Sequence, residues 1–150
     1  MAKNGGLTVE ADKFGIALTK LVKDSFDIID DGLDDVVKAT CQKGRRDCQK
    51  YASTMPNGPY APTDKEGKNT WARYLSGFRS TTKKKANGVV GEIGQVNVPG
   101  LVHLMEKGHN IVRNGVVYGR TREFKHMAKA AEEAFKYMEK KINELIGKAL

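Results

Sequence analysis

Phe14, Leu18, Leu21, Val22, Ile29, Leu33, Val36, Val37 and Cys41 recur at helical spacing, while Asp24, Asp27, Asp30, Asp31, Asp34 and Asp35 fall mostly on other faces. This pattern predicts one long amphipathic helix. Thr8 or the stretch from Glu10 to Asp12 suits its start, and the periodicity runs to about Tyr51, where a proline cluster follows. At 1.5 Å per residue, roughly 40 helical residues reach about 60 Å, around twice the diameter of a small domain. A compact monomer cannot cover such a helix. Either it bends near Gly32 or Gly44, or part of its apolar face packs on another subunit, and the second is the expectation adopted here. Phe14, Leu18, Leu21, Leu33 and Val36 are the candidate subunit-interface residues.

The rest of the chain divides around that helix. Residues 52–69 hold Pro56, Pro59, Pro62, Gly58 and Gly67, a composition that suits a loop and neither a helix interior nor a central strand. Within 70–123, Trp71, Tyr74 and Leu75 anchor a short helical turn. Phe78 to Lys85 and Val89 to Val98 then read as an antiparallel hairpin across Ala86-Asn87-Gly88, with Gly91 and Gly94 weakening the second strand or marking a bulge. A short helix at 99–108 starts at Pro99 and stops at Gly108, and Asn114-Gly115 turns a second hairpin that adds strands to the sheet. Residues 124–150 repeat apolar side chains from Met127 to Ile146 as an amphipathic C-terminal helix. The order predicts a single α+β domain over 1–150, with a long N-terminal helix (1–51) and a C-terminal helix on a small antiparallel sheet of hairpins.

Catalytic signatures are scarce. His103, Glu106 and His109 sit within nine residues, yet the spacing is not that of HExxH, and His109 lies beyond Gly108, where helical geometry no longer aligns it. The preferred reading has Leu101, Leu104 and Met105 packing the short helix down while His103 and Glu106 hydrogen-bond across to strand or loop backbone. No nucleophile elbow, phosphate-binding loop or dinucleotide fingerprint occurs, and the paired aspartates read as solvated helix surface. Cys41 and Cys48 are two helical turns apart, too far for a disulfide within one helix, so free thiols are expected. Neither enzyme activity, metal nor cofactor is expected. The N-terminus lacks a signal pattern and no apolar run approaches the ~20 residues of a membrane span, so synthesis in the cytoplasm without membrane insertion is expected.

Charge is unevenly spread. Residues 1–40 carry 5 basic and 8 acidic side chains, residues 41–85 carry 11 and 3, and the remainder 10 and 7, which concentrates the net +8 in the centre. Such a stretch suits nucleic acid or an acidic partner. Lys43, Arg45, Arg46, Lys65, Lys68, Lys83, Lys84 and Lys85 are therefore the candidate DNA-facing or partner-facing residues.

The run Leu101-x-His103-Leu104-x-Glu106-x-Gly108-His109 is followed by Arg113-Asn114-Gly115, and then by a helix opened by His126 with Ala128 and Ala130-Ala131-Glu132-Glu133. Over Thr70 to Glu133 this resembles the tail-component family of long-tailed bacteriophages, known by the tenth gene product of its type phage. That family is similar in role to the minor tail protein Z, or tail-completion protein, of lambda-like phages, and also occurs in prophages and phage-like elements. The chain departs from it at Thr70-Trp71, where Thr-Gly is common, and at Lys125, where a proline is common. The resemblance implies a virion structural protein of the head-tail connector, made in the host bacterial cytoplasm. It implies a ring of copies, hexameric by preference and dodecameric as the alternative, around the channel for genomic DNA. Tail terminator, tail tube or head-completion proteins of the neck would be its neighbours. The competing expectation is a stand-alone basic DNA-binding module, disfavoured by an aromatic content of 7% and the lack of a recognisable nucleic-acid motif.

Overall fold

A computed structural model of the chain describes residues 11–55, 67 and 69–150, with side chains from residue 15 onward. Most of the Pro/Gly loop, together with Lys65, Lys68 and the side chain of Phe14, lies outside the described residues. Helix α1 spans Ala11–Ser53, continuous through Gly32 and Gly44, and its 43 residues extend about 64 Å. Helix α2 (Thr70–Ser76) is opened by Asn69, whose Oδ1 accepts from the Trp71 and Ala72 amides at 2.9 and 3.1 Å. Strands β1 (Phe78–Lys85) and β2 (Gly88–Gln95) pair antiparallel from Phe78↔Gln95 to Lys85↔Gly88. After α3 (Pro99–Lys107) come β3 (Asn110–Arg113), β4 (Val116–Arg120) and the closing helix α4 (His126–Ala149).

Helix α4 runs antiparallel to α1. At one end Ser25 Oγ donates to the carbonyl of Ala149 at 3.0 Å; at the other the Lys129 ammonium stands 4.5 Å from the centre of the Tyr51 ring. The two glycines that could have bent α1 instead let neighbours approach: a Cβ on Gly32 would collide with Leu145, and one on Gly44 would meet Ile93 Cδ1 at 2.5 Å and Ala134 Cβ at 3.3 Å. The 24 residues of α4 cover about 36 Å, roughly the length of α1 from Ser25 to Tyr51. The turns before Ser25 overhang.

The β1–β2 ribbon lies along the flank of α1. Its inward face presents Phe78, Ser80, Thr82 and Lys84 opposite Gln95, Ile93, Gly91 and Val89. At Gly91 any Cβ would strike Cys41 Sγ and lie 2.9 Å from Val37 Cγ1, so this glycine marks the contact of strand with helix. Of the two alternatives for Gly91 and Gly94, a bulge is the one overturned, since the β1–β2 register is unbroken; the irregularity falls between Ile111 and Val112 of the second hairpin.

The second difference is larger. The hairpins form two separate two-stranded ribbons and not one sheet. Chain leaving β2 enters α3, which seats on the start of α4 through the Phe124 amide donating to the Met105 carbonyl at 2.7 Å. Strand β3 therefore begins beside the N-terminus of α4 instead of along an edge of the first ribbon. The core gathers at the same end of the molecule: Cys48, Ala52, Tyr74, Phe78, Leu101, Met105 and Ala130 are buried together, with Trp71, Leu75, Phe124 and Met127 packed around them. Gln95 ties three elements to this core, donating to the Tyr74 carbonyl at 2.9 Å and accepting from the Val98 amide at 2.6 Å.

Candidate functional site

The histidine-bearing segment is a joint. Leu101 and Met105 are buried and Leu104 is half-buried, which holds α3 down as its apolar spacing requires. Glu106, one turn from the end of α3, accepts from the first-turn amides of α4, Met127 at 2.6 Å and Ala128 at 3.3 Å. Those amides have no partner within their own helix, and the positive end of the helix dipole favours a carboxylate there. Lys125 at the start of α4 makes no side-chain cap, so Glu106 supplies one from another element.

The same carboxylate orders a buried histidine. Glu106 Oε1 lies 3.0 Å from His126 Nδ1, which also faces the Phe124 carbonyl at 3.1 Å. His126 Nε2 is 2.6 Å from the Tyr74 hydroxyl. Two acceptors at Nδ1 assign the proton there, and Tyr74 then donates to Nε2. Burial, followed by the charge of Glu106, pushes the Tyr74 phenol well above its usual range. Phe78 and Phe124 enclose the histidine, edge-on and stacked respectively. With Tyr74 at 0% and His126 at 1% exposure, this relay is closed off from solvent. It locks α2, α3 and α4 together.

His103 and His109 do other things. His103 is exposed and does not reach across to strand or loop backbone as expected, and Glu106 bonds the start of a helix instead. His109 is clamped to Thr121: its amide donates to Thr121 Oγ1 at 2.9 Å, its carbonyl accepts from the Thr121 amide at 2.8 Å, and its Nδ1 lies 3.1 Å from the same hydroxyl. Gly108, at φ 66° and ψ 168°, lets the chain turn into this clamp, where a Cβ would meet the Thr121 carbonyl at 2.5 Å. Among the described residues no three His, Cys, Asp or Glu side chains converge on a metal-binding geometry. Nor is any described helix long and apolar enough to cross a membrane.

Among the described residues, the basic candidates do not form one surface. Lys43 pairs with Asp47 on the next turn of α1 and lies 6.0 Å from the Tyr137 ring. Lys84, on the inward face of β1, reaches Asp34 at 3.3 Å, and the aspartates at 34, 30 and 31 hold its ammonium above the usual lysine range. Part of the central positive charge thus neutralises the acidic half of α1. Lys83 and Lys85 stand on the outward face of the ribbon with Arg79, while half-buried Arg45 and exposed Arg46 sit about 16 Å further along α1 than Asp34.

Bare apolar surface is concentrated at the two ends of the molecule. On α1, Leu18, Val22, Ile29, Leu33 and Val36 share one face. Ile29, Leu33 and Val36 are half-buried where α4 runs alongside, but Leu18 and Leu21 are 48% and 63% exposed, and Ile16, Val22 and Phe26 are exposed around them. At the other end, the β3–β4 hairpin exposes Ile111, Val112, Val116, Val117 and Tyr118, every residue from Asn110 to Arg120 being exposed. Its turn is sharply set, Asn114 and Gly115 both having positive φ of 49° and 78°. The sequence carried a sign of this arm: adjacent pairs Ile111-Val112 and Val116-Val117 put apolar side chains on both faces of a ribbon, which suits no half-solvated sheet. A third bare surface is an open groove of about 350 Å³ between α1, β2 and α4, lined by Val37, Val90, Ile93, Phe135 and Met138 among others.

Compared with protein-family models, curated proteins and solved structures, the chain matches none.

Proposed function

We propose that this chain is a structural protein of a bacteriophage neck, of the tail-completion kind, which assembles as a ring at the end of the tail around the channel through which DNA passes to and from the head. The observation that carries the reading is the unbroken helix α1, which continues an apolar face past the end of α4 into solvent at Leu18, Leu21 and Val22. A solitary copy leaves that face wet, and copies in a ring have neighbours to cover it. The segment from Leu101 to His109, on which the family resemblance rests, acts as the joint between α3, α4 and the arm. Its role in this reading is to hold shape, and the buried relay asks for no chemistry. Lys83 and Lys85, on the outward face of the β1–β2 ribbon, are the described residues of the basic set best placed for DNA phosphates, whose attraction is independent of sequence.

Cryo-electron microscopy of phage particles or tails carrying the protein tests this. The expected result is a closed ring of this chain at the head-proximal end of the tail. Particles whose neck lacks the chain overturn the reading, as does a purified protein that stays monomeric yet binds DNA with the steep salt dependence of a stand-alone module.

A further inference from the structure

The overhang of α1 and the β3–β4 arm are complementary in three respects. Both are apolar and bare: Leu18, Leu21, Val22 and Phe26 on the helix, Ile111, Val112, Val117 and Tyr118 on the arm. Their charges differ as well: exposed Asp24, Asp27, Asp30 and Asp31 border the overhang where it meets α4, outnumbering its Lys20 and Lys23, whereas residues 109–122 hold Arg113, Arg120 and Arg122 and no acid. And they lie at opposite ends of the molecule. The arm is rooted where Glu106 and Met105 meet the start of α4, beside Tyr51 of α1, while the overhang begins where α4 ends beside Ser25. Ser25 and Tyr51 stand 26 residue steps apart along α1, about 39 Å. Neither surface reaches the other within one copy.

A two-stranded ribbon alone in water is marginal at best. Among the described residues β3 and β4 pair with each other and with no further strand, and the His109–Thr121 clamp and the Arg120 guanidinium donating to the Lys107 carbonyl at 3.0 Å fix the arm at its base. Such an arm gains its order from something laid against it.

We infer that the β3–β4 arm of one copy docks on the N-terminal overhang of α1 of the next, so that each copy joins its neighbours head to tail through two different surfaces. The apolar side chains form the centre of the contact, and the arginines of the arm face the aspartates that flank the overhang. A heterologous contact of this kind propagates, and it closes into a ring when the rotation between neighbours permits. This deepens the neck-ring reading and rests on it for the choice of a second copy as partner.

Sedimentation velocity with two variants tests it. Leu18→Lys with Val22→Lys spoils the overhang and leaves the arm; Val112→Glu with Val117→Glu spoils the arm and leaves the overhang. All four positions are exposed, so both variants should melt at the temperature of the unaltered chain held dilute enough to be monomeric. The unaltered protein should form multimers whose size grows with concentration, and each variant alone should be monomeric. An equimolar mixture should give one-to-one dimers and nothing larger, because only one productive pairing of arm with overhang remains. Variants that assemble like the unaltered chain, a mixture that stays monomeric, or an unaltered chain that is monomeric at every concentration overturns the inference. The neck reading fails separately, by absence of the chain from the neck, and a ring joined through other surfaces leaves it standing.

Discussion

Cys48 reports how tightly the core closes around the joint. Burial, then the charges of Asp47 and Glu106, push its thiol from the ordinary 9.0 to about 11. At neutral pH the thiol is protonated in both folded and unfolded chains and contributes no pH dependence. Between about pH 9 and 11 the unfolded chain loses a proton that the folded chain keeps, so stability falls across this window and levels off above it. A difference of this size corresponds to roughly 2–3 kcal/mol. Chemical denaturation at pH 8 and pH 11 should show Cys48→Ala losing less stability than the unaltered chain by about that amount. Equal losses would mean that the thiol is wetter than its environment indicates. Tyr74, raised by burial as well, adds to the alkaline fall at still higher pH in both proteins. The relay it belongs to is half legible: Glu106 and His126 both stand in the motif-bearing segments, but their sequence separation gives no reason to join them, and Tyr74 reads from the sequence as an apolar anchor. Only packing brings a phenol, an imidazole and a carboxylate into line.

At the scale of elements, the helices and hairpins follow from periodicity and turn chemistry, and the glycines between them were harder to read. Gly91 and Gly94 look alike in the sequence, both interrupting β2. Their surroundings differ: a Cβ at Gly94 meets open space, while at Gly91 it runs into Cys41 and Val37 of α1. Val37 is β-branched and held in one rotamer by its helix, so it yields poorly. Gly91→Ala should therefore destabilise the fold by about 1–3 kcal/mol, and Gly94→Ala should be neutral or slightly stabilising. Thermal or urea denaturation of the two variants checks this, and equal behaviour would show that the ribbon does not bear on α1 as described. The separation of the two hairpins belongs here as well. Strand pattern predicts which residues pair within a hairpin, but nothing in the pattern of 110–120 says whether its edge meets another strand. The route of the chain through α3 decides that.

For the whole molecule, the distribution of burial sets what is stable alone. The C-terminal half of α1 is held by α4, the β1–β2 ribbon and the cluster around Tyr74, whereas Ile16, Leu18, Leu21 and Val22 in its first turns are exposed. Hydrogen exchange on the isolated chain should show amides of residues 15–24 and 110–120 exchanging far faster than those of 40–52, since local opening costs little where few apolar contacts are lost. Both segments should become protected on assembly. Protection that appears in one segment and not the other would separate the overhang from the arm as interface elements. The placement of charge also changes at this scale. The sequence shows an acidic N-terminal third and a basic centre; in the fold, Lys84 spends its charge on Asp34 while Lys83 and Lys85 turn outward.

By itself the sequence determined the inventory: a helix too long for one small domain, two hairpins with their turns, a short helix ended by Gly108, a closing amphipathic helix and the α+β class. These are local consequences of side-chain period and of backbone conformations that Gly, Asn and Pro favour or forbid, and they need no knowledge of neighbours. Tertiary structure alone decided which apolar residues are covered. Leu18 and Leu33 are identical in the periodic pattern, yet one is bare and the other half-buried, because α4 is 24 residues long and lies antiparallel beside α1 from Ser25 onward. Burial depends on where a second element ends, and that is set by packing between segments a hundred residues apart.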